Sequence, residues 1–160
     1  MNRRQWLATA LGASAAWSAD LRKQIKITGL ETDLLKLPSK EPTYDAIHKL
    51  GVDSGQVVLR LKTDAGITGW ASSNFGMIPG GPRVVQTILE HEVKPILLGM
   101  DPAFPKKIRA ELWRLLEYHG VGGVVHFALS ATDIAIWDIL GKAAGLPVWK
   151  MLGAYRDRMP

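Results

Sequence analysis

The 160-residue chain contains no cysteine. Disulfide bonds and thiolate metal sites are therefore excluded, and redox chemistry gives no information about the compartment. Aromatic residues make up only 8% of the chain, and lysine and arginine never form a dense cluster. Two of the five excess positive charges belong to arginines among the first four residues. The sequence therefore gives no reason to expect nucleic acid as a partner.

Motifs for the common catalytic and metal chemistries are also missing. A zinc-protease motif would need a second histidine four residues after His91, but Pro95 stands there. The glycines around Gly122 are not followed by the Lys and Ser or Thr of a phosphate loop, so they indicate a turn between helices. No histidine shows metal-ligand spacing; the four are His48, His91, His119 and His126. We therefore predict no catalytic residue and no metal ligand.

The first nineteen residues have the pattern of an export signal. Arg3 and Arg4 precede an apolar run over residues 6–16, and small residues follow it. The arginine pair suits the twin-arginine route, and the run is too short to remain as a membrane anchor. We expect residues 1–19 to direct export to the periplasm, and a mature domain over residues 20–154. A mistaken start codon or an amphipathic N-terminus, with a cytoplasmic protein, is the alternative.

Alternation of apolar and polar residues predicts three strands. They cover residues 25–37, 56–63 and 67–72. Gly29 marks a bulge in the first strand, and Asp64-Ala65-Gly66 forms a hairpin between the second and third. Residues 38–55 and 73–81 are predicted as loops. The strands make an antiparallel meander with one apolar face, which helices must cover.

Helical spacing predominates from residue 82 onward. One helix is predicted at residues 82–93 and ends before Pro95. Asp101 is predicted to cap a second helix, with Pro102 in its first turn, that runs to about residue 119. The predicted buried positions of that helix are Ile108, Leu112 and Leu115. The fold class is therefore α+β, a three-stranded meander followed by a bundle of three to four helices.

A third helix carries two acids, Asp133 and Asp138, within an apolar segment that Gly145 ends and Pro147 follows with a short helix. Paired carboxylates suggest acid-base work or a magnesium site. Five residues apart on a helix, however, they point about 140° away from one another. Lys142 lies four residues after Asp138, in the favourable order for an ion pair. We therefore predict structural roles, with Asp138 pairing Lys142 and Asp133 bonding backbone or an arginine.

The run SATDIAIWDILGKAAGLPVWKMLG, from Ser130 to Gly153, resembles a known signature. It is similar to the segment that closes the N-terminal domain of the mandelate racemase and muconate lactonising group of the enolase superfamily. The residues that mark the resemblance are Asp133, Trp137, Asp138, Lys142 and Gly153. The likeness covers residues 26–160, although Ala71-Ser72 follows Gly69-Trp70 where relatives commonly have Gly-Glu.

The resemblance implies that two loops choose the substrate. In the family, the loops after the first and third strands reach over the mouth of a catalytic barrel. Here they would be residues 38–55 and 73–81, and the candidate specificity residues are Tyr44, His48, Asn74, Phe75 and Met77. The alternative is that these are ordinary surface loops.

The resemblance further implies a capping domain whose partner is a following barrel. That barrel would hold the catalytic residues and Mg2+, would act on a carboxylate or sugar acid, and would assemble as a homo-oligomer. Residues 155–160 would begin the linker to it, and this chain alone would hold no cofactor and show no activity. A sugar-acid dehydratase is favoured over a racemase, epimerase or cycloisomerase. A stand-alone module docking on a separate barrel chain, or a binding protein unrelated to catalysis, stays open.

Overall fold

A three-stranded antiparallel sheet, ordered β1-β2-β3, forms one layer of the domain. The computed structural model describes residues 24–38, 53–73, 80–119 and 122–158. The strands are β1 (Ile27–Pro38), β2 (Asp53–Thr63) and β3 (Thr68–Ser73). The register shifts between Ile27 and Gly29, which confirms the predicted bulge. Apart from strand ends, this is the predicted meander.

The β1–β2 ladder is longer than predicted. Asp53, Ser54 and Gly55 were expected in the loop, but they pair with Pro38, Leu37 and Lys36. The sequence did not indicate these strand residues, because Asp53, Ser54 and Gly55 are typical of turns and the alternation of apolar residues begins only at Val57. The inner face of β2 is then fully buried at Val57, Leu59 and Leu61.

The helical layer begins with α1 (Gly81–Ile88), which continues through a π-helical turn (Leu89–Val93) into α2 (Lys94–Leu97). The prediction that the helix ends before Pro95 is therefore wrong. The Lys94 N–H bonds to the carbonyl of Leu89 across the wider π turn. This turn places Pro95 in the first turn of α2, where a residue without an N–H is tolerated.

The next helix, α3 (Pro105–Leu116), starts later than predicted. Asp101 does not cap it: its carboxylate accepts a 2.8 Å bond from the Ala103 N–H, within a turn that precedes the helix. A proline does occupy the first helical turn, as predicted, but it is Pro105 and not Pro102. Leu115 is 45% exposed, and Leu116 is buried in its place beside Ile108 and Leu112.

The long helix α4 (Val124–Ala144) lies on the inner face of the sheet and is the centre of the core. Gly145 ends it in the left-handed conformation (φ 64°), and α5 (Val148–Met151) follows Pro147, both as predicted. Helix α4 approaches the sheet closely at Gly69. A Cβ there would lie 2.1 Å from the Ala135 carbonyl oxygen, so only glycine allows this contact.

Helix α4 is long and apolar enough to cross a membrane by length and composition. Within the described structure, however, 56% of the apolar 18-residue stretch that meets this criterion is buried. A core helix meets the same criterion, and α4 packs against the sheet, α1 and α3. Its composition therefore reflects burial inside the domain.

Candidate functional site

Both predicted specificity loops are anchored at the same end of the sheet. The first leaves β1 after Pro38 and enters β2 at Asp53, and these two residues are paired. The second leaves β3 after Ser73, which pairs with Val57. Val57 lies four positions after Asp53, a distance of roughly 13 Å along β2. Topology therefore brings the two loop anchors together, as a site built from both loops requires.

The candidate specificity residues lie outside the described residues. They are Tyr44, His48, Asn74, Phe75 and Met77. Their assignment stays a prediction, and the structure bears only on the strand ends from which the loops start.

The start of α4 is fixed at this same end of the sheet. The Ser73 hydroxyl donates a 3.1 Å hydrogen bond to the carbonyl of Phe127, in the first turn of α4. Before it, the Gly122 N–H donates a 3.2 Å bond to Nδ1 of His126, whose ring meets Trp113 edge to face. The second loop therefore starts from a strand end that is tied to a rigid helix.

The family-marking acid Asp138 joins α4 to β3. Its carboxylate accepts hydrogen bonds from the Lys142 ammonium group (2.6 Å) and from the Trp70 backbone N–H (2.8 Å). Lys142 also donates to the Thr68 carbonyl (2.8 Å). The expected pair of Asp138 and Lys142 is present, and it has a structural task. Sequence spacing gave no sign that Thr68 and Trp70 complete it, because both contribute backbone atoms only.

Asp133 has a different environment from Asp138, because the two side chains leave the helix in directions about 140° apart. It is half-buried beside a groove between the start of α3 and α4, lined also by Phe104, Arg109 and Trp137. The predicted bond to backbone or an arginine is not formed among the described residues. Arg109 faces the same groove but makes no ion pair with this carboxylate.

The remaining marker, Gly153, shapes the corner after α5. Its φ is 96°, a region that glycine adopts without strain. Gly141 provides a close contact at the same corner, since a Cβ there would lie 2.8 Å from the Leu146 carbonyl oxygen and 3.3 Å from Val148. Small residues therefore hold α5 tightly against the end of α4.

The outer face of the sheet carries an ionic network that the sequence reading did not identify. Arg60 lies 2.7 Å from Asp33 and 3.5 Å from Glu31, and its guanidinium group stacks over Trp70 at 5.5 Å. Lys62 donates a hydrogen bond to Glu31, and this bond is the main cause of the lowered pKa of that carboxyl. The sequence signal for this network is that acids alternate on β1, at Glu31 and Asp33, and cations alternate on β2, at Arg60 and Lys62.

No metal site is assembled within the described ranges. No group of three His, Asp or Glu side chains there is placed to hold an ion. Asp138 is occupied by Lys142 and Trp70, while Asp133 faces the groove. The two acids therefore do not provide the set of oxygen ligands that Mg2+ requires.

Comparison with known proteins places the fold. The model of the N-terminal domain of mandelate racemase / muconate lactonizing enzyme matches residues 32–153. Among solved structures, a racemase from Streptomyces coelicolor with bound magnesium superimposes with a TM-score of 0.75 at 32% identity, over 81% of this chain and 36% of that one. An enolase from Bradyrhizobium, complexed with magnesium and mandelic acid, gives 0.70 at 26% identity, over 82% and 35%.

Curated relatives include a cycloisomerase and dehydratases that are named for galactonates. The 3,6-anhydro-alpha-L-galactonate cycloisomerase of Streptomyces coelicolor is 32% identical over 134 residues, which are 84% of this chain and 37% of that protein. The D-galactonate dehydratase of Verminephrobacter eiseniae is 41% identical over 102 residues, 63% of this chain and 25% of that protein. The chain thus spans well under half the length of these relatives.

Proposed function

We propose a function that starts from the family: this chain belongs to the mandelate racemase / muconate lactonizing enzyme family, and residues 32–153 form its N-terminal domain. The domain acts as the substrate-capping and specificity domain of a magnesium-dependent sugar-acid dehydratase. The observation that carries this proposal is the common anchoring of both loops at one end of the sheet, at the Pro38–Asp53 pair and at Ser73. Loops that leave one end together can cover one substrate mouth.

Catalysis in such an enzyme belongs to a barrel domain. Such a barrel would provide a base for the proton α to the substrate carboxylate, and a bound Mg2+ would supply electrostatic stabilisation of the negative charge that develops there. Among the described residues of this chain, no group of three His, Asp or Glu side chains is placed to hold the metal. Its own contribution is to exclude water and to select the substrate through residues 39–52 and 74–79. The full-length enzyme is proposed to be a homo-oligomer.

Two observations separate the substrate candidates. D-galactonate dehydratases reach 37% to 41% identity over 102 to 114 residues, which favours dehydration of a sugar acid. The cycloisomerase of Streptomyces coelicolor matches over a larger part of the chain, 134 residues, at 32% identity. Cycloisomerisation is therefore the second candidate. A stand-alone module that docks on a separate barrel chain is a third arrangement of the same capping role.

A domain exchange tests the proposal. Residues 26–154 of this chain replace the N-terminal domain of the Verminephrobacter D-galactonate dehydratase and, in parallel, that of the Streptomyces cycloisomerase. We expect the dehydratase hybrid to release water from D-galactonate with Mg2+ present, and the 160-residue chain alone to be inactive. Activity of the cycloisomerase hybrid only would select the second candidate. Two folded, magnesium-loaded hybrids without activity, or an active isolated chain, would overturn the capping function.

Export is proposed separately from the capping role. It rests on Arg3 and Arg4 ahead of the apolar run, and these residues lie outside the part of the chain that the structure describes. Fractionation of bacterial cells should find the processed chain in the periplasm, and replacement of both arginines by lysine should retain it in the cytoplasm. An unprocessed wild-type chain in the cytoplasm would contradict the signal.

A further inference from the structure

The inner face of β3 ends in a polar residue. Burial alternates along this strand, so that Gly69, Ala71 and Ser73 face the helices. Ser73 is only 9% exposed, and burying a hydroxyl costs free energy unless the hydroxyl is hydrogen-bonded. Ala71, two residues earlier on the same face, is buried without any polar side-chain atom. A core position of this kind does not require a hydroxyl, so the role of this one lies in the bond that it makes.

The Ser73 hydroxyl makes a specific bond between β3 and α4. It donates to the carbonyl oxygen of Phe127 at 3.1 Å, 54 residues later in the chain. In an α-helix this carbonyl also accepts the N–H of Ala131, so the hydroxyl uses its second lone pair. Loss of the hydroxyl would leave Phe127 with its helical bond and would leave no buried group unsatisfied. The bond therefore fixes the position of β3 on α4 more than it stabilises the domain.

The acceptor lies in a turn of α4 that is held from another side as well. The Gly122 N–H donates a 3.2 Å bond to Nδ1 of His126, the residue before Phe127. The His126 ring meets the Trp113 ring of α3 edge to face, with 5.4 Å between the ring centroids. The first turn of α4 is therefore a fixed point to which the end of β3 is attached.

The other end of the second loop is held on the same strand. Ser73 pairs with Val57 of β2. Pro82, in the first turn of α1, lies beside Gly55 of β2, since a Cβ at Gly55 would be 3.6 Å from the proline ring. Gly55 and Val57 are two positions apart, roughly 7 Å along the strand. Both ends of the second loop therefore rest on β2, close to the point where the first loop enters it.

We propose that Ser73 is a positioning residue for substrate selection. Its bond to Phe127 fixes the place and the direction in which the chain leaves β3 toward residues 74–79. Ser73 thereby determines how tightly the substrate is bound and has no part in the chemical step. This inference rests on the proposed function, because Ser73 acts through a loop that selects the substrate of the capped enzyme.

The test compares two serines of β3 in the dehydratase hybrid described above. Ser73→Ala removes the hydroxyl that bonds α4. Ser72→Ala is the matched control, since Ser72 is exposed and its hydroxyl has no hydrogen bond among the described residues. We expect Ser73→Ala to raise KM for D-galactonate about threefold to tenfold, the factor that one hydrogen bond corresponds to, and to leave kcat within about twofold. Ser72→Ala should change neither constant.

A third variant separates the hydrogen bond from the volume of the side chain. Ser73→Cys keeps a similar shape, but its thiol is a weak donor, so it should raise KM as Ser73→Ala does. An unchanged KM for Ser73→Ala in an active hybrid would overturn the proposal. A normal KM for Ser73→Cys beside a raised one for Ser73→Ala would also overturn it, because side-chain volume and not the bond would then be responsible.

Chymotrypsin provides a readout that does not depend on catalysis. In the 160-residue chain, cleavage after Phe75 and Met77 is followed by mass spectrometry. We expect it to be about threefold faster in Ser73→Ala than in the wild-type chain or Ser72→Ala, because proteolysis follows the population in which the strand end has detached from α4. The thermal midpoint of Ser73→Ala should fall by less than about 3 °C. A much larger fall would show that the bond holds the domain together and would overturn the proposal.

The two readouts separate a failure of this inference from a failure of the proposed function. If neither hybrid is active, the capping function is rejected; faster cleavage of Ser73→Ala alone would still retain Ser73 as the residue that positions the second loop, and equal cleavage rates would reject it too. If only the cycloisomerase hybrid is active, KM is compared there with the same expectations. An active hybrid in which Ser73→Ala lowers kcat and leaves KM unchanged would retain the capping function and overturn the role of Ser73.

Discussion

The backbone N–H of Trp70 donates a 2.8 Å hydrogen bond to the carboxylate of Asp138, 68 residues later in the chain. The same carboxylate holds Lys142, whose ammonium group bonds the Thr68 carbonyl. One ion pair on α4 therefore satisfies both a backbone donor and a backbone acceptor of β3, which is an edge strand of the sheet as described. Edge strands with free backbone groups invite pairing with other chains, and this pair closes part of that edge.

Replacing Asp138 by alanine should destabilise the domain. It removes a charge-assisted bond to the Trp70 N–H and leaves Lys142 with the Thr68 carbonyl alone. Because the carboxylate is partly exposed, we expect a loss of about 1–2 kcal/mol in the free energy of unfolding. Urea unfolding followed by circular dichroism measures this loss.

Two variants serve as controls for the Asp138 substitution. Asp138→Asn keeps an oxygen that can accept from the Trp70 N–H, so its loss should be smaller. Glu111→Ala breaks an exposed ion pair with Arg114 and should cost less than about 0.5 kcal/mol. Equal losses for Asp138→Ala and Glu111→Ala would show that the contact between α4 and β3 contributes nothing.

The contact at Gly69 predicts a much larger effect. In Gly69→Ala the new methyl group would lie 2.1 Å from the Ala135 carbonyl oxygen and 2.7 Å from the Ile139 side chain. Neither backbone nor buried isoleucine can move easily, so we expect a loss of about 3 kcal/mol or more. Thermal unfolding of the variant checks it. Gly80→Ala is the control, since no atom lies within 4 Å of its Cβ position; a similar midpoint for both variants would contradict this packing.

The sheet and the long helix could be predicted because their signals are local. Alternation in β2 and the cap at Gly145 depend on a few neighbouring residues. The errors arose where a local signal was outweighed by packing. Pro95 was interpreted as the end of a helix, and Asp101-Pro102 as the start of the next one. The actual start at Pro105 and the π turn before Pro95 depend on how the helices pack, which neighbouring residues do not encode.

The candidate site was predictable only in part. The i,i+4 spacing indicated that Asp138 pairs with Lys142, but their partners at Thr68 and Trp70 are backbone groups brought near by folding. The groove position of Asp133 likewise depends on where α3 lies. The loops containing Tyr44 and Phe75 were assigned through resemblance alone, and their roles stay predictions.

A polar contact between β1 and the first helix gives a third prediction. The Thr32 hydroxyl donates to the Glu90 carboxylate, and the Gln86 amide donates to Thr32 at 3.0 Å. Glu90 lies in the π-helical turn, so this contact fixes that turn on the sheet. Thr32→Val keeps the side-chain shape but leaves a half-buried carboxylate with one partner fewer. We expect it to lower the free energy of unfolding by about 1–2 kcal/mol in urea titrations.

Thr87→Val is the matched control for that substitution. Among the residues that the structure describes, the Thr87 hydroxyl donates only to the Arg83 carbonyl, on the exposed surface of its own helix. It should change the free energy of unfolding by less than about 0.5 kcal/mol. If Thr32→Val is as mild as Thr87→Val, the contact between Thr32 and Glu90 does not hold the π turn.

The outer face of the sheet predicts a dependence of stability on pH. The pKa of Glu31 is lowered from its usual value of 4.5, chiefly by the hydrogen bond from Lys62 and further by the charges of Lys62, Arg60 and Lys94. Burial opposes this effect but does not outweigh it. The folded chain therefore binds the proton of Glu31 more weakly than the unfolded chain does, and the ionised group stabilises the fold.

The stabilisation from Glu31 is complete above its unfolded pKa of 4.5 and is lost as the pH falls from there through the lower folded pKa. Urea unfolding from pH 7 to pH 3 should therefore show a steeper decline for the wild-type chain than for Glu31→Gln, which carries no titrating group at this position. Added salt should reduce the difference, since the group is exposed. Carbon NMR titration of Glu31 gives its pKa directly. A value at or above 4.5, or parallel curves for the two chains, would contradict the ionic network as a source of stability.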